Sequence, residues 1–312
     1  MKLRIGHLST LYHTSILMQA DPSLLEGLDF DIQWSLYGTG PAIVKAFGEG
    51  RIDLAYIGLP PATIGIASGL RLKCIAGGHV EGTVISTLKG KRAEDEETLC
   101  RAFRGFKRVA VPGRGSIHDL ILKDIIHRCG SSVEVLNMAW ADEVLEAFVS
   151  GKVDAVVGTP SLAEAVRVYA DGDILYPPSK LWPYNPSYGI VVREELLEEP
   201  EILKEFLKVH ERCTEVLREK PEEAAERIAS LMGIVDRDFA LNTIKISPRY
   251  CASLPEEYIH CTERLTRRLY ELGYIERVPE RDEIFELSII REVHPQEHHY
   301  QKSQDAPTPD RG

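Results

Sequence analysis

This chain writes one phrase twice, and that repeat limits its fold more than anything else in the sequence. From Ala46 it reads AFGEGRIDLAYIGLP, and from Ala147 it reads AFVSGKVDAVVGTP. Both copies have Ala-Phe, a glycine followed by a basic residue, Ile or Val, Asp, a short apolar run, a glycine and a proline. The step from Asp154 to Gly158 is one residue shorter than the step from Asp53 to Gly58. A helical stretch closed by glycine and followed by a short apolar run is a helix-to-strand unit. Two such units about a hundred residues apart, in a chain of 312 residues, predict two α/β lobes rather than one small core.

The surroundings of each copy agree. Before and around the first, LRIGHL, DFDIQWSLYG, IDLAYIG and LRLKCIAG read as strands. They alternate with helical TSILMQADPSLLEG, PAIVKAFGEG and PATIGIASG. After a charged surface helix, KRAEDEETLCRAFRGF, the alternation restarts. KRVAVPG, SVEVLNM, KVDAVVG and DILYPP are strands, and SIHDLILKDIIHRCG, ADEVLEAFVSG and SLAEAVRVYADG are helices. Strands separated by helices predict a mostly parallel sheet with helices on its faces. From Glu194 to Arg281 the pattern is helical, punctuated by Pro200, Pro221 and Pro255. Residues 291–312 are polar and poor in apolar side chains, which predicts a disordered tail. Its His294, His298 and His299 read as solvated rather than as metal ligands.

Composition excludes some functions. A net charge of -11 and a pI near 5.5 do not suit nucleic acid, whose phosphates need clustered Lys and Arg. No run reaches the roughly 18–20 apolar residues of a transmembrane helix. MKLRIGHLS enters a strand-like alternation at once, without an apolar leader. The expected location is cytoplasmic as written, or periplasmic or cell-surface if the sequence is a mature form. Six scattered cysteines, with no Cys-x-x-Cys, predict reduced thiols rather than a disulfide framework or a zinc site. Neither a cofactor nor a metal is expected.

Ligands of open parallel sheets sit beyond the carboxyl ends of the strands. Here those ends are HLSTLYHTS, YGTGPA, GLPPAT and GGHVEGT in the first lobe, and PGRGSIHD, MAWADE and GTPSLA in the second. Such loops offer free backbone N–H groups at helix starts, which attract anions or carbonyl oxygens. Ser116 reads as a helix cap, and its hydroxyl and the amides after it could also hold a carboxylate, sulfonate or phosphate. Arg114 is the only cation in these loops. His79 and Glu81 read first as hydrogen-bonding groups of a hinge or cleft, and as an acid/base pair if the chain is an enzyme. Tyr12, Trp140, Trp182, Tyr184 and Tyr188 are candidate pocket aromatics, with Tyr184 and Tyr188 placed at the surface or cleft. No Gly-x-Ser-x-Gly and no Cys/His nucleophile arrangement is present.

IGHLSTLYHTSILMQA, GTGPAIVKAFGEGRIDLAYIGLPPATIGIASGLRLKCIAGG, VAVPGRGSIHDLILK and AFVSGKVDAVVGTPSLAEA together resemble the solute-binding proteins of ABC transporters. The similarity is to the nitrate/sulfonate/taurine and thiamine-precursor branch of the type II periplasmic-binding-protein fold, over residues 1 to about 290. It implies two lobes joined by crossovers near GTVISTLKG and YGIVVREE: residues 1–88 with 190–290 as lobe one, and 89–189 as lobe two. The C-terminal helices would return to lobe one. It also implies a small polar or anionic organic ligand held between the lobes by hinge closure, an ABC permease as partner, and a monomer. Carried over by position, lobe-one contacts fall at Ser9, Tyr12, His13, Thr39, Gly58 and Pro60, and at His79, Glu81, Gly82 and Thr83. Lobe-two contacts fall at Ser116, Ile117 and Thr159, with Tyr188 nearby. The same fold also serves cytoplasmic enzymes, a chorismate-dehydratase-like lyase or a thiamine-pyrimidine synthase, and it could serve a cytoplasmic sensor. In an enzyme His79 and Glu81 are the acid/base candidates; the synthase-type cysteine-rich stretch is absent.

Overall fold

The computed structural model describes residues 2–300. Ten strands form it: β1 (Lys2–Leu8), β2 (Asp31–Tyr37), β3 (Leu54–Ile57), β4 (Leu72–Val80), β5 (Val84–Leu88), β6 (Arg108–Pro112), β7 (Glu134–Met138), β8 (Ala155–Gly158), β9 (Gly172–Tyr176) and β10 (Pro186–Arg193).

The repeated phrases fold into the same object. The Gly40–Gly48 helix ends where Gly50 takes φ +68°, and the Ala141–Val149 helix ends where Gly151 takes the same angle. The amides of Gly50 and Arg51 bond back to Phe47 O and Ala46 O at 3.0 and 2.9 Å. Those of Gly151 and Lys152 reach Phe148 O and Ala147 O, both at 2.9 Å. A left-handed backbone at this point is why glycine stands in both copies. The aspartate then docks each new strand on its neighbour. Asp53 N donates to Arg4 O and Asp154 N to Arg108 O, each at 2.8 Å. The Asp53 carboxylate accepts from Arg4 N and Nε at 3.0 and 2.9 Å; that of Asp154 accepts from the amides of Lys107 and Arg108 at 2.7 and 3.0 Å. The one-residue slip is a difference in capping. Gly58 caps a helix with proline second, whereas Thr159 caps one with proline first.

Two five-stranded sheets share one plan, in the orders β2-β1-β3-β10-β4 and β7-β6-β8-β5-β9. Four strands of each sheet run in one direction, and the fourth in order is antiparallel to both of its neighbours. β3 and β8 lie inside their sheets and are buried throughout, so they read as continuous apolar runs. The fold is the predicted one: a two-lobed, mixed α/β type II periplasmic-binding-protein architecture.

The exchange between lobes differs from expectation. The chain crosses at residues 81–83 and 182–185, so Val84–Leu88 joins the second sheet as β5 and Pro186–Arg193 joins the first as β10. These crossovers are bound to each other. Glu81 N donates to Asn185 O at 2.8 Å, and Tyr184 N donates to Glu81 Oε1 at 3.0 Å. Glu81 (φ +63°) and Tyr184 (φ +60°) both hold left-handed backbones, a conformation that persists only where its surroundings impose it. Arg249 does so by pairing with Glu81 and lying 4.6 Å from the Tyr184 ring centroid.

Three further expectations are corrected. Not all C-terminal helices return to lobe one: from the Glu256–Glu271 helix, Cys261, Leu265 and Leu269 enter the core of lobe two. Cys100 and Cys129, on facing helices with Cα atoms 4.9 Å apart, form a disulfide, so the thiols are not all reduced. Cys74, Cys213, Cys251 and Cys261 are buried and free. The described part of the expected tail, residues 291–300, is anchored at two points: His294 and Tyr300 are buried, and the Tyr300 hydroxyl donates to Cys251 O at 2.5 Å. Residues 301–312 lie outside the described residues.

Candidate functional site

A cavity of about 420 Å³ lies between the lobes, within the usual size of small-molecule sites. Helix starts from both sheets converge on it: Thr39/Gly40 and Gly58 from lobe one, Ser116/Ile117 and Thr159 from lobe two. The caps are built locally. Thr39 Oγ1 accepts from Ala42 N at 3.4 Å, Ser116 Oγ from Asp119 N at 3.2 Å, and Thr159 Oγ1 from Leu162 N at 3.2 Å. Each cap satisfies the third amide of its helix and leaves earlier ones without an intrahelical partner. Proline removes some of these donors at Pro41, Pro60, Pro61 and Pro160. Gly40, Ile117, His118 and Ser161 line the cavity, and their first-turn amides have no intrahelical partner.

Among the described residues that line it there is no lysine or arginine, and the one carboxylate is Asp142. Arg114 instead lies over the Tyr274 ring, 5.9 Å from its centroid. The two lining histidines stay neutral. Burial pushes His118 down to about 4, and burial together with His79 holds His13 well below the usual imidazole range. His13 Nδ1 and Ser161 Oγ are buried and have no hydrogen-bond partner among the described residues. The positive potential of the site therefore comes from helix starts, while Leu36, Trp140, Leu145, Tyr169 and Phe239 supply apolar surface.

The lobes touch beside the cavity. A Cβ on Gly38 would lie 2.8 Å from Ala139 O and 2.9 Å from the Trp140 ring; one on Gly113 would lie 2.9 Å from Thr39 Cβ. At Gly58 the nearest atom across the gap is Ile117 Cγ2, at 3.4 Å. Bare glycine backbone at these places lets the two lobes close on each other.

Of the sequence-derived candidates, Ser9, Tyr12, His13, Thr39, Gly58, Ser116, Ile117 and Thr159 come together on this cavity. Pro60 does not; Pro61 takes the lining position. Gly82 and Thr83 stand one layer behind, where Gly82 N donates to the lining Ser187 and Thr83 Oγ1 lies 3.0 Å from Nδ1 of the lining His118. Tyr188 is fully buried in β10 and packs on His13, with centroids 4.0 Å apart, so it belongs to the core rather than the surface. Trp140 lines the cavity, whereas Trp182 sits in the lobe-two core and Tyr184 at the crossover.

His79 and Glu81 do not form an acid/base pair. His79 is fully buried, bonds Ser247 O through Nε2, and is pushed down to about 3 by burial. Glu81 is engaged by Arg249 and the Tyr184 amide. Neither lines the cavity. Sequence reasoning missed the wall formed by Met232, Ile234, Val235 and Phe239. Its one local signal is Ile234-Val235 directly after the helix-ending Gly233.

Comparison with known proteins points the same way. The profile of the NMT1-like family matches residues 1–233. A protein of Brucella abortus (strain 2308), named only as a binding protein, is 25% identical over 245 residues, covering 74% of this chain and 72% of its own. Among solved structures, the periplasmic aliphatic sulphonate binding protein SsuA from Escherichia coli superposes with a TM-score of 0.76 at 17% identity, covering 99% of this chain and 98% of that one. The periplasmic nitrate-binding protein NrtA from Synechocystis PCC 6803 superposes at 0.75 and 12% identity, covering 94% and 88%.

Proposed function

The chain belongs to the NMT1-like family, and on that premise we propose that it is a solute-binding protein. It captures a small polar or anionic organic ligand between its lobes and delivers it, as a monomer, to an ABC-type importer. The observation that carries this reading is the convergence of helix starts from both lobes on one cavity that has free amides and no cationic side chain. Four such dipoles stabilise one negative or electron-rich group, and the apolar wall of Leu36, Trp140, Leu145, Tyr169 and Phe239 takes an apolar body. Ser9, Tyr12, His13, Thr39, Gly58, Ser116, Ile117 and Thr159 are its contacts.

Two relatives of the same fold bear names that state their ligands, an aliphatic sulphonate and nitrate. A sulfonate-type or nitrate-type head group is accordingly the first class to test. No helix of the described residues is long and apolar enough to cross a membrane, and the Cys100–Cys129 disulfide favours an oxidising, extracytoplasmic place of work. Isothermal titration of the purified chain with short alkanesulfonates, nitrate and neutral heterocycles tests the proposal. One-to-one binding of one class, weakened by substitution of the exposed cavity-lining Ser9 (Ser9→Ala), supports it. Failure of every class, with a folded protein, contradicts it.

A further inference from the structure

Two of the tail histidines give the molecule a feature outside the lining of the interlobe cavity. Cys251 Sγ, His294 Nε2 and His299 Nδ1 approach one another: the sulfur lies 3.7 Å from each nitrogen, and all three ligand atoms lie within 4.8 Å. A tetrahedral ion with a sulfur at about 2.3 Å and imidazole nitrogens at about 2.0–2.1 Å sets each S···N edge near 3.5 Å. Both S···N distances are within a few tenths of an ångström of that edge; the two nitrogens, within 4.8 Å of each other, close to the N···N edge of about 3.3 Å by rotation of the partly exposed His299 ring. The sulfur also accepts from His299 N at 3.3 Å, which holds the C-terminal segment against it. Glu211 also meets the demand for an outer partner: its Oε1 lies 2.7 Å from His294 Nδ1, the ring nitrogen turned away from the cluster. A carboxylate on the far side of a ligating imidazole fixes its tautomer and raises its basicity.

Charge and location agree. A divalent ion with one thiolate and two neutral imidazoles carries one net positive charge, which the Glu211 carboxylate balances. Cys251 and His294 are buried, and His299 is partly exposed. The fourth position would open toward solvent on the His299 side. The sulfur and nitrogen donors suit a borderline-soft ion rather than magnesium or calcium.

We propose that Cys251, His294 and His299 form a structural site for a zinc-class divalent ion, which fastens the C-terminal segment to the strand-like stretch beside the hinge. Binding forms the Zn–S and two Zn–N bonds and releases the Cys251 thiol proton to solvent. The site acts where the lobes meet. Cys251 N donates to Gly78 O in β4, and Arg249, two residues earlier, joins Glu81 of the crossover to Tyr300 O, the latter at 2.5 Å. An ion here clamps residues 294–300 over that junction.

The test uses the full chain stripped of metal and titrated with Co²⁺ alone, then Zn²⁺ in competition. The expected result is one equivalent bound, with tetrahedral visible absorption and a thiolate-to-cobalt band in the near ultraviolet. Cys251→Ser removes that band. His299→Ala, at a partly exposed position that the fold tolerates, weakens binding at least about tenfold, and Glu211→Gln weakens it about 10–100-fold. Zn²⁺ raises the melting temperature of the parent chain but not of His299→Ala. Absence of stoichiometric binding overturns the proposal. So does a thiolate band that survives Cys251→Ser, or unchanged affinity in a folded His299→Ala variant.

Discussion

Replacing Gly38 with alanine separates ligand capture from folding. Gly38 follows β2 in the first lobe, and its missing Cβ faces Ala139 O and the Trp140 ring of the second lobe at 2.8 and 2.9 Å. Real Cβ contacts do not come that close, and one of the two partners is backbone, which cannot swing aside. Gly38 does not occupy the left-handed region, so alanine brings no conformational strain of its own. The added methyl therefore acts only when the lobes meet. Overpacking of one methyl against a tight surface costs about 1–3 kcal/mol. Charged to the closed state alone, that lowers the apparent ligand affinity about 5–150-fold. Titration calorimetry with whichever of the alkanesulfonate, nitrate and heterocycle probes binds the parent chain reads the affinity, and urea unfolding of the ligand-free chain reads the stability. The expectation is weaker binding with unchanged unfolding. Affinity within about twofold of the parent, or an equal loss in ligand-free stability, refutes the closure argument.

Other perturbations have defined signs. Burial lowers His79 to about 3 and His118 and His210 to about 4, below the unfolded value near 6.5. Their stabilising contribution is thus complete above about pH 6.5 and is lost as the pH falls toward the folded values. At about pH 5 each removes about 2 kcal/mol; urea midpoints should fall accordingly, and His210→Gln should flatten the dependence. Glu81→Ala strands Arg249, whose side chain is only 13% exposed, and should destabilise the crossover by about 3–5 kcal/mol; an unchanged urea midpoint contradicts that role. Reduction of Cys100–Cys129, which spans 29 residues, should lower stability by about 3–4 kcal/mol and add two free thiols to a denaturing titration. Gly151→Ala forces alanine to φ +68° with open space around it, and should cost about 1 kcal/mol, read by thermal unfolding.

The repeat was legible because both copies use residues with narrow backbone roles. A left-handed glycine and an aspartate docking the next strand can be recognised without knowing the partner strand. The helix starts of the cleft were legible for the same reason, since Thr39, Ser116 and Thr159 are local caps. The crossovers were not. β4 and β5 are separated by three residues and lie in different sheets, yet GGHVEGTVISTL carries no break in composition or hydropathy. Glu81 looked like chemistry because it neighbours His79 in sequence. Its true partner, Arg249, is 168 residues away, and no spacing rule reaches that far. The Met232–Phe239 wall and the disulfide likewise arise where distant segments meet. The tail looked disordered because its order comes from Tyr300 and His294, two side chains buried against other elements rather than against each other.

Native mass spectrometry of the chain isolated from its own host tests the central claim most directly, that both lobes grip one small ligand in the closed cavity. The account predicts a single small molecule per chain that is lost on unfolding, with the protein mass unchanged. It also predicts that the molecule is missing from a Ser116→Trp variant, whose indole fills the space between the helix starts. Retention of the same molecule by the folded Ser116→Trp variant would contradict it, as would a covalently altered protein mass.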